Sequence, residues 1–347
     1  MARSQFRQAG INIQDLPVEN STEPEHYLPV KKFRFTITIR TLTVLPPYKG
    51  GVFRGAFGNS FRKAVCALKK IQDCTACILK QQCIYMAVFN PPPPKDFSDA
   101  AKYRHAPPPY ILNPPIDNRE VFRPGDSMTF NLVLMGKAAD AVPYFIYSFI
   151  EMGKRGLGRE RGKYELEKVE VLNDNQYTQI YDSETGTLKD FTLGSCTSPH
   201  TGYSNVNNLI LKFLTPLRLK EKNSLVTDLN FTLFFKRLAH RLELLSAFYS
   251  SDGPIPFSDN LIEQAGEIKV KQDNLYWYEW ERYSSRQKDL MKLGGLRGEI
   301  EFESNLTPFM PYLKLGEVVN VGQGTSFGLG RYNIQVASPY NFGGESI

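Results

Sequence analysis

The chain reads as an α+β protein made of two related units, each an antiparallel sheet backed by helices, with a cysteine-rich insertion in the first. Three observations predict this. Short segments alternate apolar and polar residues with the period of a half-buried strand. Between them lie stretches with apolar residues at helical spacing. Finally, a glycine turn followed by a basic residue and a tyrosine occurs twice, as Gly162, Lys163, Tyr164 and as Gly330, Arg331, Tyr332.

The 347 residues suffice for two domains. At 41% hydrophobic and 22% charged, the composition is that of a folded globular protein and excludes a disordered chain. Net charge is 42 minus 36, or +6, compatible with a polyanionic partner and well short of a histone-like excess. Lys and Arg concentrate instead at 54–80, 154–168 and 282–297. The start lacks the apolar centre of a secretory signal, and the longest apolar run, Val142 to Ile150, is shorter than the ~18 residues of a membrane span. The expectation is a cytoplasmic protein with no membrane role, in which paired cysteines are metal ligands rather than disulfides.

Residues 1–28 are polar and aperiodic, and read as a tail. The first unit is expected over 29–185. FRFTITIRTL (33–42) alternates as a strand, and turn residues Pro46, Pro47, Gly50 and Gly51 follow. A helix comes next, with Phe53, Phe57, Phe61, Val65 and Leu68 on one stripe. After the cysteines, PPPP at 91–94 and PPP at 107–109 predict an extended surface loop. Met128 to Met135 is a second alternating strand. Pro143 suits the first turn of a helix running to Met152, and Tyr164 to Val171 is a further strand. The polar stretch 173–205 is the best linker candidate, with 186–205 as its core.

In the second unit, 206–347, the series restarts. Leu209 to Leu217 reads as a strand, Leu229 to Tyr249 as an amphipathic helix, and Glu267 to Gln272, Glu299 to Phe302 and Arg331 to Val336 as strands. Both copies of the glycine turn close a strand-and-helix series of similar order, which favours duplication.

Cys74 and Cys77 form a C-x-x-C knuckle that can point two thiolates at one ion. Cys66 and Cys83 complete a tetrahedral four-thiolate set, while Cys196 is an outlier. Structural zinc is the expected metal, with an iron–sulfur cluster as the alternative use of the same thiolates. Three of the four histidines, His26, His105 and His200, fall in tail, loop and linker. His240 lies on the helix 229–249, opposite the apolar stripe and beside Lys236, Arg237 and Arg241. A neutral imidazole there suits a general base acting on a ribose 2′-hydroxyl, with the neighbouring cations stabilising the phosphorane.

The segment 276–298 interleaves Tyr276, Trp277, Tyr278, Trp280 and Tyr283 with Arg282, Arg286, Lys288, Lys292 and Arg297. Rings stack on unpaired bases while cations meet phosphates, and stacking is worth ~1–3 kcal/mol per base. Some of these rings are expected to serve the core instead. The glycine segments do not fit a P-loop or a dinucleotide fingerprint, since strands rather than helices follow them. No nucleotide cofactor is expected.

Taken in order, GVFRGAFGNSFRKAV with its following cysteines, PPPYILNPP (107–115), GKRGLGRERGKYELEKV (153–169), WERYSSRQKDLMKLGGLRGEI (280–300) and GQGTSFGLGRY (322–332) make the chain resemble the CRISPR precursor-RNA-processing endoribonucleases of the RAMP superfamily, the sixth Cas family. The resemblance implies two ferredoxin-like (RRM-like) units and CRISPR repeat RNA held along a basic face. It also implies metal-independent cleavage to a 2′,3′-cyclic phosphate, and transfer of the product to other Cas effector subunits. RNA contacts are then expected from Arg54, Arg159, Arg161, Lys163, Lys236, Arg237, Arg241, Arg282, Tyr283, Arg286, Lys292 and Arg331. The family pattern places a histidine directly after the glycine of FRGAFG, where this chain has Asn59, which cannot act as a base. Catalysis then falls to His240, or to Lys49, Tyr48 and Arg62 orienting the RNA. The alternative is a non-catalytic RNA-binding subunit.

Overall fold

The computed structural model describes residues 28–71, 73–93, 106–173, 175–189, 203–222, 224–284 and 289–336, with the side chains of 282–291 excluded. The expected tail up to residue 27 therefore lies outside the described residues, as do His26, His105, His200 and Cys196.

The first unit opens with β1 (Val30–Ile39), which buries Phe33, Phe35, Ile37 and Ile39 and turns Arg34 and Thr38 to the other face. The short β2 (Thr43–Val44) follows, then α1 (Gly50–Val65), whose Phe53, Phe57 and Phe61 face inward at helical spacing. The cysteine segment leads to the six-residue α2 (Ile84–Phe89). Next come β3 (Tyr110–Asn113), β4 (Val121–Phe122), β5 (Ser127–Met135) and α3 (Val142–Arg155), with Pro143 in its first turn. The unit closes with β6 (Tyr164–Asn173), β7 (Gln176–Asp182) and β8 (Thr187–Leu188). Phe57 packs on Phe149 at 4.9 Å and on Phe145 at 5.5 Å, which fastens α1 to α3 over the sheet.

The second unit runs from β9 (Asn208–Leu217) through the small hairpin β10 (Lys220–Glu221) and β11 (Ser224–Leu225) to α4 (Phe231–Tyr249). Asn230 caps that helix by accepting the Leu233 N–H at 2.9 Å. After α5 (Asp259–Gln264) come β12 (Lys269–Tyr278), the hairpin β13 (Glu281–Ser284) and β14 (Asp289–Lys292), β15 (Gly295–Glu303), α6 (Met310–Val319) and β16 (Tyr332–Val336).

Strand order makes the repeat explicit. The first sheet is β3-β5-β1-β6-β7-β8 and the second β12-β15-β9-β16, every pair antiparallel. Counting only the principal strands of each unit, both run second, third, first, fourth, with one helix after the first strand and another after the third. This is a duplicated ferredoxin-like fold.

Three expectations need correction. The next strand after the prolines is not Met128 to Met135, because Tyr110 to Asn113 already form a fully buried strand on the edge of the first sheet. The polar stretch from 173 begins with β7 and β8, which extend the first sheet; their exposed faces supply too few apolar residues for a strand pattern. The aromatic segment is also regular, since β12 continues to Tyr278 and a hairpin follows.

The units share a seam. Val30, Ile111, Val133 and Met135 of the first sheet join the core that α4 and α6 build over the second. The buried Asn320 amide donates to Asn113 Oδ1 and to Leu329 O, both at 3.1 Å. The glycine segment 322–330 threads this seam, and Gly330 cannot be replaced without strain: its φ is +68°, and a Cβ there would overlap the Val321 carbonyl.

Candidate nucleic-acid interface

The start of α1, the glycine segment and the end of β12 converge at the seam. The Tyr48 hydroxyl donates to Phe327 O at 2.7 Å, and its ring meets Trp280 edge-on at 4.5 Å. Burial pushes the Tyr48 phenol well above its ordinary range, with Arg331 opposing the shift. Lys49 is 0% exposed; its ammonium donates to Asp117 O at 2.7 Å and Oδ1 at 3.0 Å. These environments make Tyr48 and Lys49 structural anchors rather than groups free to meet RNA. Arg54 lies between the rings of Phe89 (5.2 Å) and Phe327 (5.1 Å), tying α1 to the glycine segment.

Arg331 is held through its backbone. Its N–H donates to Thr215 Oγ1 at 2.9 Å, and burial lowers the guanidinium's pKa below the ordinary arginine value. A small crevice at the seam is lined by Pro47, Tyr48, Thr215, Tyr278 and Arg297 among others, and Arg297 stacks on Tyr278 at 5.3 Å. The aromatic segment divides as strand alternation requires. Trp277 packs against the core, Tyr276 and Tyr278 share the other face, and Trp280 is buried on Tyr48. Lys292 is exposed at the end of the hairpin, while Arg286 and the side chains of Arg282 and Tyr283 lie outside the described residues.

The α4 group does not join the seam. Lys236 is exposed on the outward side of α4, whose inward side packs on the sheet. Arg237 donates to Lys220 O at 2.8 Å. Arg241 is part-buried and turned inward, with Nε donating to Asn320 O at 2.8 Å and Nη2 to Val319 O at 2.8 Å; desolvation of the guanidinium lowers its pKa to about 10. His240 is 51% exposed, with Nδ1 3.8 Å from Glu243 Oε2, and lines neither the seam crevice nor the α1 pocket described next. The expected cationic face around His240 is thus interrupted by a carboxylate, and one of its cations points inward.

A basic concavity lies where α1 and α3 end together. Asn59, Arg62, Lys63, Cys66, Lys69 and Arg155 line a cavity of about 420 Å³. Four cations and one amide face it, with no carboxylate among the described residues of the lining. Arg62 donates to Ile71 O at 2.9 Å, which fixes its head at the pocket wall, and Arg155 keeps a long 3.7 Å contact to Glu151. Cations in the last turns of two helices also complement the helix dipoles. Of the four cations only Arg62 was singled out from sequence, beside Asn59 and Cys66. Lys63, Lys69 and Arg155 belong to the basic runs 54–80 and 154–168, and only the packing of α1 on α3 brings those runs together. Arg159, Arg161 and Lys163 are exposed on the adjoining turn, Arg161 with φ +51°.

The two units also match separate families. Residues 28–193 match a family model described as an N-terminal domain, and residues 211–332 match the model of the CRISPR-associated endoribonuclease Cas6. The second unit is thus similar to the Cas6 endoribonucleases. An uncharacterised protein of Archaeoglobus fulgidus is 27% identical over 301 residues, 84% of this chain and 93% of that relative. Among solved structures, Thermus thermophilus Cas6 aligns with TM-score 0.52 at 13% identity, covering 89% of this chain and 99% of that one. A Cas6 product complex aligns with TM-score 0.51 at 14% identity, covering 88% and 100%. A partial Cas6-RT-Cas1–Cas2 complex aligns with TM-score 0.54 at 14% identity, covering 91% of this chain, which spans only about half, 48%, of that one. At such identities the structural likeness speaks for the fold. No described helix is long and apolar enough to cross a membrane.

Proposed function

We propose that this Cas6-like chain binds the repeat of a CRISPR precursor transcript and cuts it as an endoribonuclease, without a metal ion in the reaction. The observation that carries the reading is the pocket of Arg62, Lys63, Lys69 and Arg155, a cationic concavity without a carboxylate among its described lining residues, in a duplicated ferredoxin-like chain with a Cas6 match. Such a surface attracts a phosphate backbone.

In the proposed reaction the ribose 2′-oxygen attacks the adjacent phosphorus and the 5′-oxygen leaves. The 2′-hydroxyl gives up its proton and the leaving oxygen gains one, so the products are a 2′,3′-cyclic phosphate and a 5′-hydroxyl. The pocket cations would stabilise the extra charge on the phosphorane, and Asn59 would donate from its amide. The mature RNA would then pass to other Cas subunits.

One observation favours a second reading, a non-catalytic repeat-RNA-binding subunit. His240, the one histidine among the described residues, does not line the pocket, and Asn59 cannot serve as a base. Incubating the purified chain with its repeat RNA in EDTA separates the two. A single cut ending in a cyclic phosphate supports the enzyme, a gel shift without a cut supports the binding subunit, and neither result removes both.

A further inference from the structure

The segment between α1 and α2 has no hydrophobic core. Among the described residues of 66–83 none is fully buried, and Ile78 is 86% exposed. An insertion of this size without apolar burial needs another device to hold one conformation, and four cysteines are its distinguishing residues.

All four thiols converge. Cys66, Cys74, Cys77 and Cys83 line one small cavity of about 20 Å³, together with Leu68, Ile71 and other neighbours. That is room for one water-sized body or a bare ion. Each cysteine also sits where the backbone is fixed by a local hydrogen bond. The Cys66 N–H ends α1 on Arg62 O at 2.9 Å, and the Cys77 N–H closes a turn on Cys74 O at 3.4 Å. Asp73 caps that turn by accepting the Thr75 N–H at 2.9 Å, and Cys83 O accepts the Ala87 N–H at 3.0 Å as α2 begins. Two cysteines in one turn and two at helix ends form the usual layout of a zinc knuckle. Arg62 stands in the same wall, where its charge offsets part of the two negative charges of a zinc tetrathiolate.

We infer that Cys66, Cys74, Cys77 and Cys83 hold one zinc ion in a closed structural site that braces the insertion against the end of α1. Among the described residues no three candidate ligands already stand at coordinating separations, so binding the ion requires the four sulfurs that line this cavity to draw closer together. With four protein thiolates the site has no open position, and it takes no part in RNA cleavage. Arg62 and Cys66 line both this cavity and the basic pocket, so the ion also steadies the wall that the two share. The inference rests on the cysteines alone and is independent of the function proposed above.

The test is elemental analysis of the full chain purified with reductant and zinc, then dialysed. About one zinc per chain is expected, retained in Cys196→Ser and lost in the double variant Cys74→Ser, Cys77→Ser, with a lowered thermal midpoint. If the double variant fails to fold, cobalt substitution of the natural chain replaces it, and the visible bands of a tetrahedral cobalt thiolate are expected. A reduced, folded chain that takes up neither ion, zinc retained in the double variant, or a brown iron–sulfur chromophore would each overturn the assignment.

Discussion

Tyr164 and Tyr332 hold the same place in the two units. Each begins the fourth strand of its sheet, and each donates its hydroxyl at 2.7 Å to a helix carbonyl, Phe149 O for the first and Leu313 O for the second. The residue before each is bound alike. Lys163 O accepts from Arg40 N–H and Thr41 N–H at 2.8 and 3.3 Å, and Arg331 O from Leu214 N–H and Thr215 N–H at 2.9 and 3.3 Å. Thr41 and Thr215 return the bond, their hydroxyl oxygens accepting the N–H of Lys163 and Arg331 at 2.7 and 2.9 Å.

Equivalence of place predicts equivalence of cost. Tyr164→Phe and Tyr332→Phe should each destabilise by about 1 kcal/mol, the ordinary net worth of such a hydrogen bond. Gly316→Ala should cost more, about 1–3 kcal/mol, because its Cβ would overlap the Tyr332 hydroxyl and stand 2.8 Å from Leu238. Urea denaturation measures all three, and a neutral Gly316→Ala would show that α6 and β16 do not pack as described.

The same tyrosines set an alkaline limit. Burial holds both phenols well above their ordinary value near 10. Above that pH the unfolded chain ionises them while the folded chain keeps its protons, so the folded state binds more protons and stability falls as pH rises. Their contribution is complete below about pH 10 and fades by about 1.4 kcal/mol per pH unit for each phenol. Denaturation midpoints between about pH 9 and 11 should fall, and less steeply in Tyr332→Phe. Identical slopes for variant and parent would contradict the burial.

RNA binding should depend on the α1 pocket more than on α4. Lys63→Glu and Arg155→Glu are expected to weaken binding of repeat RNA and to reduce the salt slope by about 1 each. Lys236→Glu and His240→Ala, on the outward side of α4, should change affinity and cleavage little. Salt-titrated binding isotherms and gel assays decide this, and the opposite ranking would move the RNA path to α4.

Lys49 should matter for stability alone. Lys49→Met keeps the stem but strands Asp117 O and Pro47 O, which now accept from the ammonium, the latter at 3.3 Å. A loss of about 1–3 kcal/mol is expected, with cleavage per folded molecule unchanged at low temperature. Selective loss of cleavage with stability intact would return Lys49 to the reaction.

The amino-acid sequence by itself determined the periodic part of this protein. Over residues 33–39 of β1 and 127–130 of β5 the core-facing apolar residues alternate with polar ones, so alternation marks these strands, and the recurrence of Gly-Lys-Tyr as Gly-Arg-Tyr exposed the duplication. Such signals are local. Tyr110 to Asn113 were illegible because a strand buried on both faces and flanked by prolines has no alternation to show. Tertiary structure alone decided where charge and rings point: Arg241 inward to Asn320, Lys49 inward to Asp117, Trp280 onto Tyr48, and Lys63 across from Arg155. The reason is that a side chain's solvation and partners depend on elements distant in sequence, and no spacing along one helix or strand records which of them will pack against it.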